Sequence, residues 1–117
     1  MKVRCVYRHR ESSIVLLHGL YANSGFWLPY LDLFKNFRIY LIDLDYLTLT
    51  IEKNEFANFI SEKSKTENIE YAIGHSFGGL FLDYCGELLG ASLGNRIADN
   101  FTFVLFYASQ RVDQGQG

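Results

Sequence analysis

A serine flanked by glycines is the strongest chemical signal in the chain. The segment GHSFGG, residues 74–79, contains the pattern G-x-S-x-G around Ser76. A serine at a sharp strand-to-helix turn presents its hydroxyl for attack, and its strained backbone requires small residues two positions away on each side. Gly74 and Gly78 meet that requirement. The following helix would direct unpaired N–H groups and its positive dipole end at a developing anion, so Ser76 is predicted to act as a nucleophile.

The residues on either side of the motif fit such a turn. An apolar strand-type run, Ile69–Ile73, precedes it, and a helix-type run begins near Phe77. The same pattern arises by chance in glycine-rich turns, and a serine before a helix is often only an N-cap. The strand before the motif and the helix after it favour the nucleophile over the N-cap.

A second stretch, near the beginning of the chain, strengthens the signal. Ser13–Leu17 is typical of a buried strand, and it ends in His18-Gly19 before a small, polar loop over residues 20–25. Together the two stretches resemble the α/β-hydrolase family, in which an apolar strand ending in His-Gly leads into the oxyanion loop and a G-H-S-x-G-G elbow carries the nucleophile. The resemblance extends from about Ser13 to Leu105.

The resemblance implies an activity and a set of site residues. It implies hydrolysis of a carboxylic ester or related small acyl substrate, without a cofactor or a metal ion. The oxyanion would be bound by the N–H groups of Phe77, next to the nucleophile, and of Leu20, in the earlier loop. Asp43 resembles the aspartate that follows the corresponding strand in the family. The family's Pro-Gly-x-G-x-S turn is replaced here by LDYLTLT, so this loop indicates no particular substrate. The elbow itself would consist of Gly74, His75, Gly78 and Gly79 around Ser76.

The general base is the missing part of this site. A serine hydroxyl needs a base to take its proton, and in this family the acid and then the histidine follow the serine along the chain. No histidine follows His75, whose side chain should diverge from that of Ser76. His18 could lie near the site because neighbouring strands are about 4.8 Å apart, although in the family this histidine shapes the oxyanion loop. His9 is expected on an exposed turn, and Asp113 is a weak candidate for the triad acid.

Two interpretations follow from the missing histidine. In the first, the 117 residues are one incomplete α/β-hydrolase domain that corresponds to the N-terminal portion of the fold and turns over substrate poorly by itself. In the second, the chain is a non-catalytic ligand-binding module, or an inactive fragment, on the same fold.

The remaining pattern predicts an α/β fold with a mostly parallel sheet and flanking helices in three layers. Strand-type runs alternate with helical runs, which favours βαβ units and right-handed crossovers. Ligands of such sheets bind outside the carboxyl ends of the strands, where His18, Asp43, Ser76 and Ser109 would project. The core should span residues 13–108, with a polar tail at 109–117. Predicted strands cover residues 2–8, 13–17, 37–43, 69–73 and 101–108, predicted helices cover 26–34, 51–63 and 77–89, and residues 90–100 form a loop.

Composition excludes several functional classes. Hydrophobic residues make up 49% of the chain and the net charge is −2, which argues for a packed globule and against a nucleic-acid partner. Cys5 and Cys85 are expected to be free thiols, and their spacing fits no metal site. The N-terminus lacks the apolar core of a signal peptide and no run is long enough to cross a membrane, so a cytoplasmic location is expected.

The composition of the last predicted strand indicates self-association. Phe101–Ala108 is strongly apolar and contains neither a charge nor a proline. Such a strand at the edge of a sheet has unpaired backbone groups that pair with other chains. Self-association through an edge strand over residues 101–108 is therefore predicted.

Overall fold

The chain forms a small α/β domain, for which a computed structural model describes residues 1–89, 96–98 and 103–108. One sheet and several helices make up these described ranges. The strands are β1 (Lys2–Val6), β2 (Ser12–Leu17), β3 (Arg38–Asp43), β4 (Asn68–His75), β5 (Arg96–Ala98) and β6 (Phe103–Ala108). The helices are α1 (Leu49–Ser64), α2 (Phe77–Leu89), a long 3₁₀ segment (Ser24–Phe34) and a single 3₁₀ turn (Tyr46–Thr48).

The sheet is mixed. Its strand order is β1-β3-β2-β4-β6-β5. Among the described strands, the pairs β2–β3 and β2–β4 are parallel, whereas the pairs β1–β3, β4–β6 and β5–β6 are antiparallel. The α/β class is confirmed, but the prediction of a mostly parallel sheet is wrong.

The direction of β6 accounts for most of this difference. His75 lies opposite Val104 and Tyr71 lies opposite Ala108, so β6 runs back along β4. Only four residues separate β5 from β6, which suits an antiparallel hairpin rather than a parallel crossover. Part of the predicted loop at residues 90–100 is thus strand β5. β6 ends opposite Tyr71, in the middle of β4. The predicted projection of Ser109 falls on a residue outside the described ranges.

The hairpin also changes which strand lies at this edge of the sheet. Ala98 pairs with Phe103 and Arg96 pairs with Leu105, so β5 is the end strand and β6 has a neighbour on each side over these positions. The prediction that the whole of residues 101–108 is a free edge is therefore wrong. Self-association itself stays a prediction.

The core lies on both faces of the central strands. Every residue from Ile14 to Leu17 is at most 1% exposed, which confirms that β2 is buried on both faces, as expected for a strand between two parallel neighbours. Val15 and Leu17 pack with the side chains of α1 and α2, and Ile14 and Leu16 pack with Trp27 of the 3₁₀ segment.

Each α-helix buries apolar side chains. In α1, Phe56 and Ile60 are buried. In α2, the side chains of Phe81, Leu82 and Cys85 are buried, whereas Leu80 and Tyr84 are 50% and 47% exposed.

The predicted helix over residues 26–34 is a 3₁₀ helix that begins at Ser24. Asn23 is its N-cap, with a side-chain oxygen that accepts the Gly25 N–H at 2.8 Å. Uninterrupted 3₁₀ conformation over 11 residues is uncommon. Trp27 anchors the segment to the sheet and is only 6% exposed.

Candidate active site

The turn between β4 and α2 has the backbone strain that the sequence motif predicts. Ser76 has φ of +55°, in the left-handed region, which costs a residue with a side chain about 1–2 kcal/mol. The Gly79 N–H donates to the Ser76 carbonyl at 3.0 Å and closes the turn. The strained elbow geometry is confirmed, whereas the catalytic role of Ser76 stays a prediction.

Two glycines of the motif are required by direct backbone contacts. A Cβ atom at Gly74 would lie 2.3 Å from the carbonyl carbon and oxygen of Gly78. A Cβ atom at Gly78 would lie 2.6 Å from the His18 carbonyl oxygen and 2.8 Å from that of Leu17. Backbone atoms cannot move aside cheaply, so the elbow can form only with glycine at both positions.

The loop that follows β2 touches the elbow. Leu17 pairs with Gly74 in the parallel β2–β4 ladder, so the two segments leave the sheet at the same edge. A Cβ atom at Gly19 would lie only 3.3 Å from Cβ of Ser76. The structure therefore brings together the segments that carry the two predicted oxyanion donors, Leu20 and Phe77. Phe77 is also the first residue of α2, where backbone N–H groups lack partners within the helix.

His18, the possible base or accessory residue, is bound by backbone groups at both ring nitrogens. Its ring is 1% exposed, and Nε2 accepts the N–H of Leu44 at 2.9 Å. Nδ1 must then carry the proton and donate it to the Gly19 carbonyl oxygen, 2.7 Å away. With both nitrogens occupied, His18 is arranged to tie the loop after β2 to the end of β3 and not to take a proton from Ser76.

Tyr46 holds the same loop from the other side and was not singled out from the sequence. Its hydroxyl donates to the His18 carbonyl oxygen at 2.5 Å. Its ring lies edge-on to those of His18 and Phe77, at centroid distances of 5.4 and 4.8 Å. Burial raises the pKa of the Tyr46 phenol, which keeps the hydroxyl a donor. Tyr46 thereby connects both predicted oxyanion segments.

Asp43 fixes the far end of the loop. Its carboxylate accepts the Ser24 N–H at 2.6 Å and the Ser24 hydroxyl at 3.1 Å, and Arg4 lies 3.7 Å away. Burial alone would raise the pKa of Asp43, but the hydrogen bonds from Ser24 and the charge of Arg4 outweigh it and lower this pKa. The loop is thus held by Asp43 at the start of the 3₁₀ segment and by His18 at the end of β2.

The other predicted acid–base candidates do not complete a triad within the described ranges. The ring of His75 stacks on Phe26, with centroids 4.2 Å apart, so it is directed at the 3₁₀ segment. His9 is exposed in the turn between β1 and β2. Asp113, the weak candidate for the triad acid, lies outside the described residues.

A cleft of about 460 Å³ opens beside the loop, but it is not centred on the serine. His18, Ala22 and Asp43 contribute to its walls, whereas Ser76 does not. We therefore assign no substrate pocket to this cleft.

The described residues contain no cluster of His, Cys, Asp and Glu that could hold a metal ion, and both cysteines are free thiols. No described helix has both the length and the apolar character to cross a membrane. Comparison with family models, curated proteins and solved structures finds no match for this chain.

Proposed function

We propose that the chain is an α/β-hydrolase-type serine hydrolase domain for carboxylic esters or related acyl substrates, with Ser76 as the nucleophile. The observation that carries the proposal is the left-handed backbone of Ser76, with φ of +55°, at a strand-to-helix turn. Backbone strain of this kind is common at functional sites, where the surrounding structure compensates for it. Tyr7 and Tyr21 also have positive φ, but Ser76 combines it with a nucleophilic side chain. A simple N-cap serine needs no such conformation, since N-cap residues adopt extended φ and ψ values.

The surroundings of Ser76 support acyl chemistry. An oxyanion that forms beside the serine would be stabilised by the Phe77 N–H at the start of α2 and by the Leu20 N–H in the adjacent loop. That loop is held rigidly by His18, Tyr46 and Asp43. Rigid donors are what this kind of catalysis requires, because donors that are already oriented need not reorganise during the reaction.

The described residues supply no general base for Ser76, so turnover should be slow. Loss of a triad member from a serine hydrolase leaves only binding and oxyanion stabilisation, and the rate falls by about 10⁴- to 10⁶-fold. The purified chain should therefore release p-nitrophenol from p-nitrophenyl acetate far more slowly than an esterase, and Ser76→Ala should remove the residual activity. A rate typical of esterases would contradict the absence of a base, and a residual rate that Ser76→Ala leaves unchanged would contradict the role of Ser76.

A second candidate function is non-catalytic ligand binding on the same fold. The occupied ring nitrogens of His18 favour it, because the histidine that the loop offers cannot act as a base. In that case, calorimetry should detect binding of a carboxylate such as butyrate to both the parent chain and Ser76→Ala, with no covalent adduct on either protein. Absence of butyrate binding to both proteins would count against this candidate.

A further inference from the structure

The outer edge of β1 is an open strand edge. β1 is the end strand of the sheet and pairs only with β3, from Lys2 opposite Asp43 to Val6 opposite Ile39. No strand lies on its other side within residues 1–89, 96–98 and 103–108. Half of the backbone N–H and C=O groups of such a strand point outward, where an added strand can pair with them.

A cleft of about 750 Å³ follows this edge and has walls on both faces of the sheet. Val3–Val6 forms its floor. Leu28 of the 3₁₀ segment lines one side, and Phe59 and Lys63 of α1 line the other. Because the 3₁₀ segment and α1 pack on opposite faces of the sheet, the cleft continues the plane of the sheet beyond β1. An added strand would occupy this position.

The cleft contains more cations than carboxylates among the described residues. One of its cations, Arg4, is paired with Asp43 outside the cleft. The others are Arg8, Arg38 and Lys63, and Glu67 is the carboxylate. That carboxylate is already bound, by Arg38 Nη1 at 2.9 Å and by Lys63 Nζ at 3.7 Å. Arg8 is exposed and makes no ion pair with any described residue. Arg8 therefore leaves an uncompensated positive charge beside the β1 edge.

The charge pattern decides between two kinds of occupant. A second copy of β1 in antiparallel register would bring cations face to face. Depending on the register, Arg4 would lie against Arg4, or Lys2 against Arg4 or Arg8, and like charges on facing strands destabilise the pair. An acidic strand would instead bring carboxylates close to the unpaired Arg8 and to Arg38 and Lys63.

We propose that the outer edge of β1 is a docking site for an extended acidic peptide segment of another protein, which adds to the sheet as a strand beside Lys2–Val6. Backbone hydrogen bonds supply the pairing, and the cations of the cleft select acidic side chains. The site is separate from the elbow, because β3 and β2 lie between β1 and β4 and place the two strands about 14 Å apart. The proposal is thus independent of any activity at Ser76.

Binding of a fluorescein-labelled peptide of alternating Glu and Val to the 117-residue chain tests the proposal by fluorescence anisotropy. Arg8→Glu should weaken binding at least about ten-fold, since it replaces attraction with repulsion. Lys65→Glu, the same charge change at an exposed position outside the cleft, should change it less than about two-fold. The same peptide with N-methylated backbone amides should not bind, because it cannot donate hydrogen bonds to a strand edge.

Three results would overturn the proposal. The first is no binding of the Glu–Val peptide, and the second is equal binding of the N-methylated peptide, which would indicate attraction by charge alone. The third is concentration-dependent dimerisation of the parent chain that Arg8→Glu abolishes, which would make a second copy the occupant of the edge.

Discussion

Ser76 combines a nucleophilic side chain with a backbone conformation that suits glycine. The variants Ser76→Gly and Ser76→Ala both remove the hydroxyl, but only glycine relieves the left-handed strain. Ser76→Gly should therefore have a free energy of unfolding about 1 kcal/mol higher than that of Ser76→Ala. Urea unfolding of the two variants measures the difference. An alanine variant at least as stable as the glycine variant would mean that the turn is not strained.

Gly74 has no room for a side chain. A Cβ atom there would overlap the backbone of Gly78 at 2.3 Å, so Gly74→Ala should destabilise the chain by more than about 3 kcal/mol or prevent folding. Gly25→Ala is the matched control, because its Cβ would meet only the side-chain oxygen of Asn23, at 2.7 Å. That side chain can rotate away, at a cost of about 1 kcal/mol for the lost N-cap bond. If urea unfolding showed similar losses of unfolding free energy for the two variants, the close backbone contact between Gly74 and Gly78 would be contradicted.

At the scale of elements, Tyr46 connects the end of β3 to the loop after β2 and to the start of α2. Tyr46→Phe keeps the ring contacts but leaves the buried His18 carbonyl without its donor, which should cost about 1–3 kcal/mol of unfolding free energy. Tyr84→Phe is the control, because the Tyr84 hydroxyl accepts a hydrogen bond from Lys53 at the surface. This variant should cost less than about 0.5 kcal/mol. If Tyr46→Phe and Tyr84→Phe lost equal amounts of unfolding free energy on urea unfolding, the buried hydrogen bond would not stabilise the loop.

The elements near the motif were more predictable than those farther along the chain. Residues 13–17 could be predicted as a strand buried on both faces because their run of apolar residues is unbroken, and the elbow followed from the spacing of Gly74 and Gly78. The orientation of β6 could not be predicted, since alternation of side chains is the same whichever way a strand runs. The roles of His18 and Tyr46 depend on backbone partners in β3 and in the loop after β2, and no sequence pattern specifies such partners.

At the scale of the whole molecule, the stability of the fold should fall at both ends of the pH range. Hydrogen bonds and neighbouring cations lower the pKa values of Asp43 and Glu67, although burial opposes this. Carboxylates whose pKa is lower in the folded chain stabilise it above about pH 4, and that stability is lost as pH falls through the lower folded value. Burial raises the pKa of the Tyr46 phenol and raises that of the Cys85 thiol to about 12. The stability linked to these two groups starts to fall when pH exceeds their pKa values in the unfolded chain, and it is lost as pH rises towards their higher folded values.

Urea unfolding as a function of pH measures both effects. The unfolding free energy should be constant near neutral pH and should decrease below about pH 4 and above about pH 9. In Asp43→Asn, the decrease in unfolding free energy at acidic pH should be smaller than in the parent chain. The decrease at alkaline pH should be unchanged. An acidic decrease of the same size in Asp43→Asn would contradict the role of this carboxylate.

The most direct measurement of the central claim is covalent labelling of Ser76 by a fluorophosphonate. The chain has eight serines, and a site with preorganised oxyanion donors should react at Ser76 alone. The reaction should be slow because no described residue assists as a base. Mass spectrometry of the digested adduct identifies the modified residue, and Ser76→Ala provides the control. We predict a single phosphonylated peptide, containing Ser76, that is absent from the variant. No adduct at all, or an adduct spread over exposed serines such as Ser61 and unchanged in Ser76→Ala, would contradict the account.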